Sequence, residues 1–240
     1  MKLTVLGKYG PFPPENGATS GYLLETKNAA FVLDMGSGVF SRLEERMPPE
    51  EIDCLIISHF HHDHSSDVPI FGYYLQQLEK RGKFNRKIKV FCPESEREIC
   101  SLLSSSKFFD VEYVDGGERE FNGVKLTFFK MKHPEQCYGV NIVADGKSFS
   151  YTGDTNVCAS VDELYKRADV VLIDGGLIEA DWNDNAPHLS VEKCVAYGNK
   201  WGNKSIISHI NPLYNEEKII ENTGRKGEWT IAEEGKSYDL

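Results

Sequence analysis

The chain has 240 residues, 40% of them apolar and 11% aromatic, which is enough for one domain with a sizeable core and unlike a disordered or membrane composition. A formal charge of −10 disfavours broad attraction to a polyanion such as nucleic acid, so an anionic substrate would need a local positive centre. No apolar run approaches the roughly 18 residues of a spanning helix, and Met1-Lys2-Leu3-Thr4-Val5-Leu6-Gly7 reads as a first strand and not a leader, which predicts a soluble, cytoplasmic protein with no membrane partner.

Strand-like segments rich in β-branched and aromatic residues run from Lys2 to Gly7, Ser20 to Glu25, Ala30 to Asp34 and Cys54 to Ser58. A helix is expected from Gly36-Ser37-Gly38 through Leu43. Another opens at the N-cap cluster Ser65-Ser66-Asp67, with Pro69 in its first turn, and runs to about Arg81. Strand Ile88 to Cys92 and helix Glu94 to Leu103 follow, then strands Val124 to Met131, Gly139 to Ala144 and Ser148 to Tyr151. Gly116-Gly117 and Asp145-Gly146 read as turns, the second as a short hairpin. Helix Val161 to Arg167, strand Val170 to Asp174, helix Ser190 to Lys200 and strand Ser205 to Ser208 complete the pattern. Hairpins come first and βα alternation later, which predicts mixed sheets covered by helices in a single α/β domain over 1–240. The basic stretch Lys80 to Lys89 is read as a solvated helix end and loop. The six cysteines form no C-x-x-C pair and are read as buried free thiols.

Four of the seven histidines fall within Ser58-His59-Phe60-His61-His62-Asp63-His64-Ser65. The apolar run Leu55-Ile56-Ile57 ahead of them is a buried-strand pattern, so His59 emerges just past a strand end, where α/β proteins place their sites. In an extended chain residues i and i+2 share a side, so His59 and His61 can reach one metal while Phe60 and His62 point elsewhere. Asp63 and His64 fall where the chain turns toward the next helix and can face a second metal. Mixed imidazole and carboxylate ligation suits Zn2+ and also accepts Mn2+ or Fe2+. Four groups cannot close two sites. The further candidates each follow an apolar strand: His133 after "LTFFKMK", Asp154 in "SYTGDT" and His209 after "KSIIS".

The H-x-H-x-D-H motif of His59, His61, Asp63 and His64 resembles the signature of the metallo-β-lactamase superfamily. The resemblance runs from "MKLTVLGKYG" and "ATSGYLLET" through "VLDMGSG" and "TGDT" to "TIAEEGKSYDL", and looks closest to the ribonuclease Z and phosphodiesterase branch. It implies a four-layer αββα sandwich with the site at one edge of two sheets. It also implies two divalent metal ions, one held by His59, His61 and His133, the other by Asp63, His64 and His209, with Asp154 bridging and His62 outside both sets. A further motif of that branch, H-[MST]-[ST], is matched by His188-Leu189-Ser190. Its acidic companion is by position Asp174 in "VVLIDGG", where the family more often shows Glu-Ala.

Two metals about 3.5 to 4 Å apart lower the pKa of a shared water and stabilise charge growing on a phosphoryl or acyl oxygen. Hydrolysis is therefore the expected reaction, with Asp63, Asp174 and His188 as candidate catalytic residues and His188 as hydrogen-bond or proton donor to a phosphate oxygen. Only 20 residues separate His133 from Asp154, where clamp-bearing ribonuclease Z enzymes carry a long insertion. Small or cyclic phosphodiesters, small-molecule anions, are thus expected over tRNA. The alternatives are an ester, thioester or lactone hydrolase, RNA processing, and a metal-binding module without turnover. The sequence leaves the oligomeric state open, a homodimer included.

Overall fold

A computed structural model describes residues 1–223 and 227–240. The chain before Gly116 forms β1 (Lys2–Gly7), β2 (Gly21–Glu25), β3 (Ala30–Met35), α1 (Val39–Glu44), β4 (Cys54–Ile56), α2 (His62–Ser65), α3 (Val68–Lys80), β5 (Ile88–Cys92), α4 (Glu98–Ser105) and β6 (Phe109–Tyr113). The remainder forms β7 (Gly117–Phe121), β8 (Val124–Lys130), β9 (Tyr138–Ala144), β10 (Lys147–Tyr151), α5 (Ala159–Arg167), β11 (Val170–Asp174), α6 (Val191–Trp201), β12 (Lys204–Ser208), α7 (Glu216–Thr223), β13 (Trp229–Ile231) and β14 (Ser237–Asp239).

Two seven-stranded sheets result, in the orders β14-β1-β2-β3-β4-β5-β6 and β13-β12-β11-β10-β9-β8-β7. Each is antiparallel on one side and parallel on the other, the change falling at β3 in the first sheet and at β10 in the second. The two sheets thus share a pattern of strand directions, although the first takes its edge strand β14 from the end of the chain and no residue-level repeat links them.

Period-two alternation divides the core into layers. In β3, Phe31 and Leu33 join the cluster between the sheets, while Val32 joins a second cluster under the helices. Cys54 and Ile56 likewise face inward, and Leu55 and Ile57 outward. In the second sheet Leu172 and Ile206 face inward, while Val171, Ile173 and Ile207 pack under α5 and α6. Strands buried on both faces read as continuous apolar runs. The layers are helix, sheet, sheet, helix, as expected for the metallo-β-lactamase-type αββα sandwich.

The structure departs from the sequence reading at identifiable points. The helix expected after Ser65-Ser66-Asp67 is α3, with Asp67 at its N-cap and Pro69 in its first turn, but a separate one-turn helix, α2, precedes it and places Asp63 and His64 inside a helical turn. Asp67 makes no cap bond to α3; its Oδ2 accepts instead from the Phe40 N–H at the start of α1, 2.9 Å away. The helix expected from Glu94 starts at Glu98. Strands β6, β7, β13 and β14 and helix α7 were not anticipated. Strands β6 and β7 alternate with charge (Asp110, Glu112, Glu118, Glu120), because each edges its sheet and is largely open to solvent, and β13 and β14 have three residues each, too short for a periodic signal. Five of the six cysteines are buried and all are free thiols. No described helix is long and apolar enough to cross a membrane.

Candidate functional site

The seven candidate ligands converge at the C-terminal ends of the strands. His59 lies just beyond β4, His133 beyond β8, Asp154 beyond β10 and His209 directly after β12, while the turn of α2 supplies Asp63 and His64. Such strand ends are the recurrent ligand crevice of α/β proteins. Backbone strain marks the place. Asp34 and His209 adopt left-handed conformations, φ 57° and 59°, that side chains other than glycine rarely occupy. Gly10 lies against the His209 ring, where a Cβ would fall within the imidazole.

The side chains sort into two groups around one carboxylate. His59 Nε2 and His133 Nε2 approach His61 Nδ1 to 3.0 and 3.2 Å, and Asp154 Oδ2 lies 3.5 Å from His59 Nε2 and 4.0 Å from His133 Nε2. On the other side Asp154 Oδ1 is 3.2 Å from His64 Nε2 and 3.4 Å from His209 Nε2, and Asp63 Oδ2 is 3.1 Å from His209 Nε2. Asp154 therefore turns one oxygen to each group. His62 is exposed and joins neither.

The outward nitrogens show how the rings are held. His64 Nδ1 donates to Asp34 Oδ2 at 2.7 Å, His59 Nδ1 lies 3.1 Å from Ser58 Oγ, and His133 Nδ1 donates to the Pro187 carbonyl at 3.2 Å. Ser58 Oγ in turn donates to Asp34 Oδ2 at 2.8 Å. This is the outer support that metal-binding histidines use to fix their tautomer and aim the second nitrogen. Asp34, Ser58 and Pro187 were not identified from the sequence; an aspartate closing the apolar strand "FVLD" was the available signal for the first.

These residues fit divalent cations. His64 Nε2 and Asp154 Oδ1 are buried and without a hydrogen-bond partner, a costly state unless something binds them. Asp34, Asp63, Asp154 and Asp174 are all buried, and among the described residues no lysine or arginine pairs with any of them. Burial and the neighbouring His64 hold the His59 imidazole well below its usual pKa, leaving the neutral form a cation requires. Burial would do the same to His64, but the carboxylates of Asp154, Asp63 and Asp34 raise it well above. Burial opposes ionisation of Asp154, yet His209, His64 and His59 keep its carboxyl well below the ordinary range.

His188 stands beside both groups, its ring stacked on His209 at 4.7 Å and 5.6 Å from His133. Its Nδ1 is 2.9 Å from Asp174 Oδ2, so the aspartate makes the polar contact that a family-type glutamate was expected to make. Asp174 also accepts from the Thr155 and Gly176 N–H groups, both at 2.9 Å, tying His188 to the loop that carries Asp154. Burial lowers the His188 pKa, but Asp174 and Asp154 raise it to about 9. The His61 and His188 side chains keep 35% and 16% exposure while those of His59 and His64 keep none, so the site opens on the His61 and His188 side.

Comparison with known proteins agrees with this arrangement. Residues 30–210 match the family model described as the beta-lactamase superfamily domain. The chain is 27% identical to the probable metallo-hydrolase YhfI of Bacillus subtilis over 98% of both chains, and the YhfI crystal structure superposes with a TM-score of 0.92 over 99% of this chain and 98% of that one. It is 19% identical to a ribonuclease Z of Methanosarcina acetivorans over 98% of this chain and 96% of the relative. A diphosphatase of the PhnP family shares the fold, with a TM-score of 0.76 at 16% identity over 100% of this chain and 97% of that one. The strand-end cluster of imidazoles and carboxylates, the paired sheets and the match over residues 30–210 agree: the chain belongs to the metallo-β-lactamase superfamily, among its metal-dependent hydrolases.

Proposed function

We propose that the protein is a dinuclear metal-dependent phosphodiesterase acting on small or cyclic phosphodiesters. His59, His61 and His133 would hold one ion and Asp63, His64 and His209 the other, with Asp154 serving both. When bound, two divalent ions supply Lewis acidity and an activated water at neutral pH. Zn2+ suits the donor set best, with Mn2+ and Fe2+ as alternatives.

The observation that carries the phosphodiester reading is His188, held through Nδ1 by Asp174 at 2.9 Å and stacked on His209 at the open side. That contact leaves Nε2 to donate to a departing or non-bridging phosphate oxygen, and Asp174 keeps the imidazole from turning away. Similarity to a ribonuclease Z along nearly the whole chain supports phosphodiester over acyl chemistry. The segment between His133 and Asp154 is the β9–β10 hairpin, closed by Asp145 and Gly146, and it carries no arm that could clamp a tRNA.

The test is turnover by metal-reconstituted protein of an aryl phosphodiester, cyclic nucleotides, simple lactones and a precursor tRNA. Metal-dependent cleavage of the diesters with poor tRNA processing is expected. Faster turnover of lactones than of any diester would move the assignment to acyl hydrolysis, and efficient site-specific tRNA 3′ cleavage would move it to RNA processing.

A further inference from the structure

His61 is the one candidate ligand whose ring is reversed. It turns Nδ1, not Nε2, to its group, and its Nε2 lies 3.1 Å from Glu135 Oε2. Glu135 follows His133 by two residues in the loop between β8 and β9, and its side chain is 16% exposed. Its carboxylate is gripped by Arg97 at the start of α4, with Nε 2.9 Å from Oε1 and Nη2 3.4 Å from Oε2. The other supports are buried or belong to the backbone: Asp34 and Ser58 are both nearly inaccessible, and His133 uses the Pro187 carbonyl.

The geometry points to Glu135 as the positioning residue for His61, with Arg97 as its brace. A carboxylate beside Nε2 favours the tautomer protonated there and leaves the Nδ1 lone pair aimed at the ion shared with His59 and His133. Arg97 comes from the first half of the chain and Glu135 from the second, so their pairing fixes the carboxylate from across the mouth of the site. A fork of two N–H groups on one carboxylate holds it in direction as well as distance. His61 is the most exposed of the candidate ligands, and without this support its ring would be the one freest to swing into solvent.

The inference rests on the dinuclear reading, and the test separates the two. Metal-free protein is titrated with Zn2+ against a chromophoric chelator, for the wild type and for Glu135→Ala, Glu135→Gln and Arg97→Ala, alongside urea unfolding of each metal-free variant. Wild type is expected to take up two ions. Glu135→Ala should weaken one of them about 10- to 100-fold, leave the other within about threefold and leave metal-free unfolding unchanged. Glu135→Gln, which keeps an acceptor oxygen, should recover most of the loss, and Arg97→Ala should show a smaller loss for the same ion. Two ions bound equally well by wild type and Glu135→Ala would overturn the role of Glu135 alone. Equal loss of both ions with a matching loss of metal-free stability would make the residue structural. Fewer than two ions on the wild type would overturn the dinuclear reading and this inference with it.

Discussion

Asp34 collects four donors on one buried carboxylate: the Ser58 N–H at 2.7 Å, Ser58 Oγ at 2.8 Å, His64 Nδ1 at 2.7 Å and Tyr151 Oη at 2.6 Å. It reaches them from a left-handed backbone that asparagine tolerates as well as aspartate does. Asp34→Asn should therefore fold, yet lower metal affinity about 10- to 100-fold by placing an amide N–H among donors; chelator competition reads this directly, and unchanged affinity would mean the carboxylate only stiffens the strand end. His188 calls for the opposite readout. His188→Ala should keep its metal content and lower kcat for phosphodiesters by roughly 10² to 10⁴, more for poor leaving groups; an effect confined to KM would make it a ground-state contact. At this scale His59, His133, Asp154 and His209 were legible because each follows an apolar strand, and His61, Asp63 and His64 because they share the H-x-H-x-D-H motif with His59. Asp34, Ser58 and Glu135 were not, since what selects them is a tertiary contact to a ring nitrogen, which leaves no spacing in the chain.

Among elements, the strands buried on both faces were the most legible, and for the same reason they are the most sensitive. Phe149 of β10 has no exposed surface and packs in the layer between the sheets. Phe149→Ala removes a ring that two sheets close on and should cost about 3–5 kcal/mol, measured as a fall in the urea midpoint of metal-free protein with little change in m; a loss below 1 kcal/mol would show that the layer can collapse around the gap. The start of α3 was legible from Ser65-Ser66-Asp67 and Pro69, but not that Asp67 spends its cap-type side chain on the neighbouring helix α1. Local sequence cannot distinguish the two uses. Strands β6 and β7 were missed because edge strands answer to solvent on one side, so charge replaces the apolar alternation that marks the interior.

At the scale of the whole molecule, four buried carboxylates have no lysine or arginine partner among the described residues, so in the metal-free chain only histidine imidazoles stand against their charge. The melting temperature should rise with free Zn2+, each ion contributing about 2.7 kcal/mol at 100 times its Kd, and fall on chelation; melting indifferent to both would argue that the cluster holds no ion. Mixed sheets covered by helices were legible from the run of hairpins followed by βα units and the four-layer order from the family resemblance, whereas the return of β14 to pair with β1 was not, because only three residues on each strand make that pairing. The division of ligands carries a mechanical consequence. His59, His61, Asp63 and His64 precede the Gly116-Gly117 turn, and His133, Asp154 and His209 follow it, so on the proposed assignment neither ion would be fully coordinated by one side of the chain. Cut at that turn, the protein becomes two fragments that each carry half of both proposed ligand sets, and Zn2+ would become a reversible clasp between separately expressed pieces. Fragments 1–116 and 117–240 should co-elute with Zn2+ and separate in excess chelator; co-elution equally complete in chelator would assign the joining to the shared apolar layer and the β14–β1 pairing alone.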